Sequence, residues 1–355
     1  MVKITRVESW RLDLKLQEPY AIAYGSYETA PNVFLRVATD GGVHGNGCAA
    51  PDPQVTGETA EDVQAALAGP IADRLKGADP LRPAHILVAL RREFEGLPGA
   101  LAAVDMALFD LMGKVAGLPV WRLLGGFRDC IETSITIGIL AEDDTVLRAR
   151  DRVAQGFRAL KLKGGVDVED DIARVLKVRE AVGKAIELRF DANQGYTPAQ
   201  AERFLAGVAP ADLEILEQPT PGELPEQLGP LTHIATAAVM ADESVVSRLD
   251  AFHLAGERLV DLLNVKVMKV GGIDEAMRVT AIGSAVGVRT MVGCMDEAAL
   301  GIAAGLHFAL ARPSVTYADL DGHLDLIDDP TDGAVILRDG VLYPADAPGL
   351  GCRLD

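Results

Sequence analysis

Five charged residues recur at nearly even spacing in the second half of this chain, each closing a short apolar run. They are Lys163 in ALKLKGG, Asp191 in RFDANQGY, Glu217 in LEILEQP, Asp242 in VMADES and Lys266 in LLNVKVMKVGG. Read from the numbering, the successive gaps are 28, 26, 25 and 24 residues. Each gap is about the length of one β-strand, one helix and two loops. A parallel barrel builds an active site in this way, with chemistry at the end of each successive strand.

The rest of the sequence can be read around that repeat. Residues 1 to about 50 read as strands: KITRVESWRLDL and NVFLRVAT alternate, PYAIAYGSYETAPN forms a loop between them, and DGGVHGNG is a glycine-rich turn. ETAEDVQAALAGPIADRL and GALAAVDMALFDLMGKVAG have helical periodicity. From about 131 the pattern becomes strand–helix alternation. The strands are placed at IETSITIGI, RALKLKG, IELRFDAN, LEILEQP, AVMADES, LLNVKVMKV, RTMVGCM and VTYADLD, with helices such as DDTVLRARDRVAQGF, VEDDIARVLKVREAVG and DEAMRVTAIGSAVG between strands. A doubly wound open sheet is the competing arrangement, but no G-x-G-x-x-G follows the first strand. The tail AVILRDGVLYPADAPGLGCRLD returns to short strands and is expected to pack on the N-terminal unit.

Composition excludes several classes. A net charge of −18 disfavours a nucleic-acid surface. Charges or glycines break every apolar stretch before it reaches membrane-spanning length. The alternating MVKITRVESWRLDL does not read as a signal peptide. Cys48, Cys130, Cys294 and Cys352 are scattered, which fits neither a disulfide framework nor a thiolate zinc site. A cytoplasmic location is the resulting expectation.

The residue types suggest a reaction. Asp191, Glu217 and Asp242 would meet at the barrel mouth as oxygen ligands for a hard divalent cation, Mg²⁺ with Mn²⁺ as the alternative. A single strand-end carboxylate more often caps the next helix, and a single lysine is more often solvated. Five in succession favour a site. Alternation makes Lys161 and Lys163 point together, likewise Asp191 with Asn193 and Asn264 with Lys266. A proton beside a carboxylate is weakly acidic, and its removal leaves an enediolate whose charge a divalent ion offsets. A lysine base must be neutral, so nearby positive charge or burial has to lower its pKa. Lys161 beside Lys163 would help, and Lys266 would return a proton to the opposite face.

These residues resemble the enolase superfamily in its muconate lactonizing enzyme-like subgroup, for which a lysine or histidine base with Mg²⁺ is a known pattern. The motifs are K-x-K (Lys161, Lys163), D-x-N (Asp191, Asn193), E-Q-P (Glu217), D-E-S (Asp242, Glu243) and N-x-K (Asn264, Lys266) followed by VGG. The resemblance spans essentially the whole chain. It implies an α/β fold: a (β/α)₇β barrel under an α+β capping domain. The cap would be residues 1–120, with 326–355 packing back on it, and the barrel residues 121–325. It further implies Asp191, Glu217 and Asp242 as metal ligands, Lys163 and Lys266 as bases, Asn193, Glu243 and Asn264 as their supports, and a possible homo-oligomer. Lys269 is offset by an odd number from Lys266 and is expected off the central face.

Within that subgroup, Asp319–Asp321 resembles the D-x-D of dipeptide epimerases, where paired carboxylates hold the substrate's α-ammonium. GCMDEAALG resembles the strand-seven segment, with Glu297 at its acidic position and Ala298 where Ser or Thr is usual. Lys161, Glu297 and Tyr24 join Asp319 and Asp321 as expected substrate contacts. L-Ala-D/L-Glu epimerases often carry an arginine in the first capping loop, but YAIAYGSY has none and Tyr24 stands nearby. A hydrophobic or aromatic dipeptide is therefore expected rather than an acidic one. A cationic dipeptide is the other option, with Glu28, Asp52 and Asp296 as candidate lining. The alternatives on this scaffold are N-succinylamino acid racemase, o-succinylbenzoate synthase and muconate-type cycloisomerase. A non-catalytic binder is the reading from another class, and it predicts a lost ligand or base.

Overall fold

The computed structural model describes residues 2–22, 25–331 and 333–354. Tyr24 therefore lies outside the described residues. Three strands open the chain: β1 (Ile4–Ile22), β2 (Gly25–Thr39) and β3 (His44–Ala49), antiparallel to one another. The expected loop over PYAIAYGSYETAPN is instead the outer part of the β1–β2 hairpin, paired through Leu14↔Ala30, Tyr20↔Tyr27 and Ile22↔Gly25. A register irregularity separates Lys15 from Tyr20. Cross-strand pairing gives these backbone groups partners, and local composition does not reveal it.

The turn expected at DGGVHGNG is confined to its first half, and HGNG lies in β3. Its glycines serve packing. A Cβ at Gly47 would sit 2.0 Å from the Ala103 carbonyl oxygen, so the helix Pro98–Ala116 can lie directly on β3. The first helical stretch divides at Gly69 into Ala60–Ala68 and Pro70–Leu75. Thr59 and Asp62 cap the first of these reciprocally.

The barrel strands follow a two-residue strand, β4 (Ile131–Glu132). They are β5 (Ser134–Ile137), β6 (Ala159–Lys163), β7 (Glu187–Asp191), β8 (Ile215–Glu217), β9 (Ala238–Ala241), β10 (Leu262–Lys266), β11 (Arg289–Gly293) and β12 (Val315–Asp319). Each pairs in parallel with the next. A bridge between Thr133 and Ala318 brings the first and last strands together. Helices on the outside connect them, among them Glu142–Ala154, Val168–Val182 and Ile273–Ser284.

Where a strand was expected through LLNVKVMKV, β10 stops at Lys266 and Val267–Val270 makes one helical turn. Gly271 ends the turn at φ 83°, a left-handed value that glycine adopts readily. After β12 the chain returns to the cap. β13 (Leu326–Ile327) joins the edge of β1, and β14 (Val335–Arg338) with β15 (Val341–Pro344) pairs onto β4. One apolar core wraps the barrel and a second fills the cap beneath the helix Pro98–Ala116. Ile215, Met240, Leu262 and Met291 form a small cluster of their own from four consecutive barrel strands.

Candidate active site

Strand register sets the height of the functional groups. Lys163 on β6 pairs with Asp191 on β7, which pairs with Glu217 on β8. On the other half, Lys266 on β10 pairs with Gly293 on β11, which pairs with Asp319 on β12. These residues therefore share the C-terminal rim. Asp242 reaches the same space from just beyond β9. One carboxylate oxygen each from Asp191, Glu217 and Asp242 lies within 4.8 Å of the others, and all three residues are buried. That donor set fits a hard divalent cation.

Lysines interleave with the carboxylates. Lys161 Nζ lies 3.0 Å from Asp191 Oδ2, 2.8 Å from Glu217 Oε2 and 2.9 Å from Asp319 Oδ2. Lys163 Nζ donates to Asp191 Oδ2 at 2.8 Å, and Lys266 Nζ to Asp242 Oδ2 at 2.8 Å. Asn264 donates to Glu217 Oε1 at 2.6 Å. Asn193 sits past the end of β7 at φ 42°; its backbone N–H donates to Asp191 Oδ1, and its side chain approaches Glu243 Oε1 at 3.5 Å. Asn193 Oδ1 and Glu243 Oε2 are buried without a hydrogen-bond partner among the described residues.

Burial and charge pull these groups apart. Burial pushes the Glu217 carboxyl up to about 8, and Asp191 adds to the push. Burial raises Asp191 too, but Lys163 and Lys161 outweigh it and hold Asp191 at about 2. Asp242 sits well below the usual carboxylate range because Lys266, Lys269 and Lys161 together outweigh its burial. Burial, then Asp242, pushes Glu243 up to about 7. Lys161 is held above the usual amine value: burial opposes this, and Asp319, Glu217 and Asp191 prevail. In Lys266, Asp242 likewise overcomes burial. Lys161 thus acts as counter-ion to several carboxylates at once.

Asp319 and Asp321 rise beside this ring. Asp319 accepts from Ser134 Oγ at 2.6 Å as well as from Lys161. Asp321 accepts from the Thr136 N–H at 2.6 Å. Burial and the neighbouring Asp319 push Asp321 up to about 6. Between rim and cap lies a cavity of about 510 Å³ lined by Lys161, Lys163, Lys266, Asp319 and Asp321, with Glu28, Asp52 and Asp296 toward the cap. Tyr27 donates its hydroxyl to Asp52 Oδ2 at 3.2 Å. Glu297 is buried outside the cavity lining; one oxygen accepts the Met295 N–H, and burial pushes its carboxyl up to about 8.

Three residues in this network were missed or misplaced by sequence reasoning. Lys269 is fully buried and forms an ion pair with Asp242 Oδ1. Strand parity does not apply to it because Val267–Val270 is helical. Gln218, the middle residue of E-Q-P, sits at φ 32° and accepts the Asp242 N–H at 2.8 Å. Ser134 was passed over as an ordinary strand residue, although its spacing from Thr136 puts both on one face.

The comparisons with known proteins agree with this geometry. Residues 4–125 match the mandelate racemase / muconate lactonizing enzyme N-terminal domain, and residues 144–355 match the enolase C-terminal domain-like family. The chain belongs to this enolase-like family. An L-Lys-D/L-Arg epimerase of Desulforapulum autotrophicum is 37% identical over 353 residues, 99% of each chain. The substrate-liganded L-Ala-D/L-Glu epimerase of Bacillus subtilis superposes with a TM-score of 0.96 at 35% identity, covering 99% of this chain and 98% of that one. The dipeptide epimerase of Enterococcus faecalis, complexed with Mg and L-Leu-L-Tyr, gives 0.95 at 36% identity and 99% coverage of both.

Proposed function

We propose that this protein is a Mg²⁺-dependent dipeptide epimerase that inverts the α-carbon of the dipeptide's C-terminal residue. Mn²⁺ is the substitute ion, since oxygen donors accept both. The observation that carries this reading is the placement of Lys163 and Lys266 on β6 and β10, four strands apart in an eight-stranded barrel and so across from each other. Asp191, Glu217 and Asp242 would hold the ion, whose charge offsets the negative charge developing on the substrate carboxylate. Lys163 removes the α-proton of one epimer while Lys266 delivers a proton to the other face. The reverse reaction starts at Lys266. Lys161 steadies the substrate carboxylate, and Asp319 and Asp321 hold the α-ammonium. Asn193, Glu243 and Asn264 fix the ligands. Glu297, buried off the cavity lining, lies within electrostatic reach of Lys266, and Tyr24 is the substrate contact that the sequence resemblance implies.

In this reading residues 1–120 and 326–355 form the cap and 121–325 the catalytic barrel. The partner is a small dipeptide. A net charge of −18 speaks against nucleic acid. Four free cysteines fit a cytoplasmic setting, and no helix among the described residues is long and apolar enough to cross a membrane. Assembly into a homo-oligomer fits the same reading.

A dipeptide library with Mg²⁺ in D₂O, read by mass spectrometry, tests the proposal. A one-unit mass gain in a subset of L,L-dipeptides is the expected result. Gain only in N-acylated amino acids would move the assignment to N-succinylamino acid racemase, and no gain anywhere would overturn proton transfer. The hydrophobic dipeptide expected from sequence is one arm of the library. A second reading, a cationic side chain, is favoured by the acidic residues Glu28, Asp52 and Asp296 along the cavity. Preferential exchange of Lys- or Arg-containing dipeptides, lost in Asp52→Asn, would select it; preference for Leu or Phe would reject it.

A further inference from the structure

Asp242 is held from two sides. Lys266 takes Oδ2 at 2.8 Å. Lys269 takes Oδ1 and the Asp242 main-chain oxygen, and also lies 3.3 Å from the Asn264 carbonyl oxygen. The Lys269 side chain has no solvent exposure, so its charge must be matched by buried partners. Gln218 fixes the Asp242 N–H at 2.8 Å. Asp242 is thus anchored through its backbone and one oxygen, which leaves Oδ2 as the oxygen free to change partners.

We infer that Lys269 is a positioning residue that keeps Asp242 Oδ2 turned toward the cation site and releases Lys266 for proton transfer. Asp242 needs a cationic partner while it is buried. With Lys269 on Oδ1 that need is met, and Lys266 is free to leave Oδ2, the oxygen Asp242 would offer to a divalent ion. Without Lys269, Lys266 becomes the one lysine left in direct contact with Asp242 and is retained there. The inference rests on the two-lysine reading proposed above. It makes a distinction that a merely structural lysine would not: the loss falls on Lys266 and not on Lys163.

The test uses the full-length protein with Lys269→Met and Lys269→Gln, the latter keeping a donor toward Oδ1 without the charge. Mn²⁺ binding is titrated by electron paramagnetic resonance. α-Proton exchange in D₂O is then followed from each epimer of the best dipeptide at saturating Mg²⁺. Lys269→Met is expected to weaken Mn²⁺ binding about tenfold and to slow exchange from the Lys266 face at least tenfold more than from the Lys163 face, with partial recovery in Lys269→Gln. Lys163→Ala and Lys266→Ala identify the faces. Unchanged Mn²⁺ binding, or an equal fall at both faces, overturns the inference. Should the methionine variant fail to fold, the glutamine variant is held to the same outcomes. Should the wild type exchange no dipeptide, the dipeptide reading fails, and the Mn²⁺ titration still decides the role of Lys269 at Asp242.

Discussion

The two ends of the barrel are both rich in charge, yet they are built differently. At the N-terminal end Arg189 of β7 is nearly buried and meets Glu187 and Glu214 at 3.1 Å each, beneath the ring of Tyr317. Those carboxylates are partly exposed, so each pair stays hydrated on one side. At the C-terminal rim, Asp191, Glu217, Asp242 and Lys161 have almost no exposure. There the carboxylates crowd together, and lysines shared among them balance the charge. One end is a satisfied plug; the other crowds its carboxylates around shared lysines. Ser134 touches both, donating to Asp319 and lying 3.3 Å from Arg189.

The contrast can be broken most sharply at the rim. Lys163→Ala and Lys266→Ala are each expected to lower epimerisation by about 10²–10⁴-fold with the fold intact, as measured by kcat alongside circular dichroism. At the other end, Arg189→Met should do the reverse. It should cost roughly 1–3 kcal/mol of stability in urea unfolding, from the hydrogen bonds lost at the Ala318 carbonyl oxygen and Ser134, while activity per folded molecule stays close to wild type. A large activity loss there would mean that the plug shapes the site. Asp321→Asn should raise KM for free-amine dipeptides by roughly 10–100-fold, the worth of a charged hydrogen bond. Unchanged KM would remove Asp321 from substrate binding.

A smaller effect concerns a buried ionisable group at neither end. His307, in the helix Ala299–Ala311, accepts the Trp121 N–H at 3.0 Å, and burial pushes its pKa down to about 3. The folded protein keeps this imidazole neutral, whereas the unfolded chain protonates it below about 6.5. Its contribution to stability is therefore complete above about 6.5 and is lost as pH falls toward 3. At pH 5 the loss is about 2 kcal/mol. The difference in unfolding free energy between wild type and His307→Gln should shrink by that amount from pH 7 to pH 5, as read by urea unfolding.

The rim was legible because its chemistry lies at strand ends, where one charged residue per repeat interrupts apolar runs. Asp191, Glu217, Asp242, Lys163 and Lys266 could be read directly, and so could the order of the barrel strands. Lys269 could not, because parity counting assumes one backbone type and the chain changes from strand to helix at Val267. The outer hairpin escaped for a different reason: Tyr20 and Tyr27 find each other through pairing, which a linear pattern does not carry. Gly45 and Gly47 looked like turn residues because a helix pressed against a strand leaves the same mark in a sequence as a bend.

The joining of β13 to β1 has a consequence for biosynthesis. Leu16 pairs with Leu326, so the first sheet gains its last strand only after nearly the whole chain has left the ribosome. At about 5–20 residues per second that interval is roughly 15–60 s. During it, the nascent cap presents the Lys15–Leu16 edge without its native neighbour, an open template for another chain. Chaperone dependence should therefore be greatest for fragments released before Leu326, and should end once the tail is free to dock.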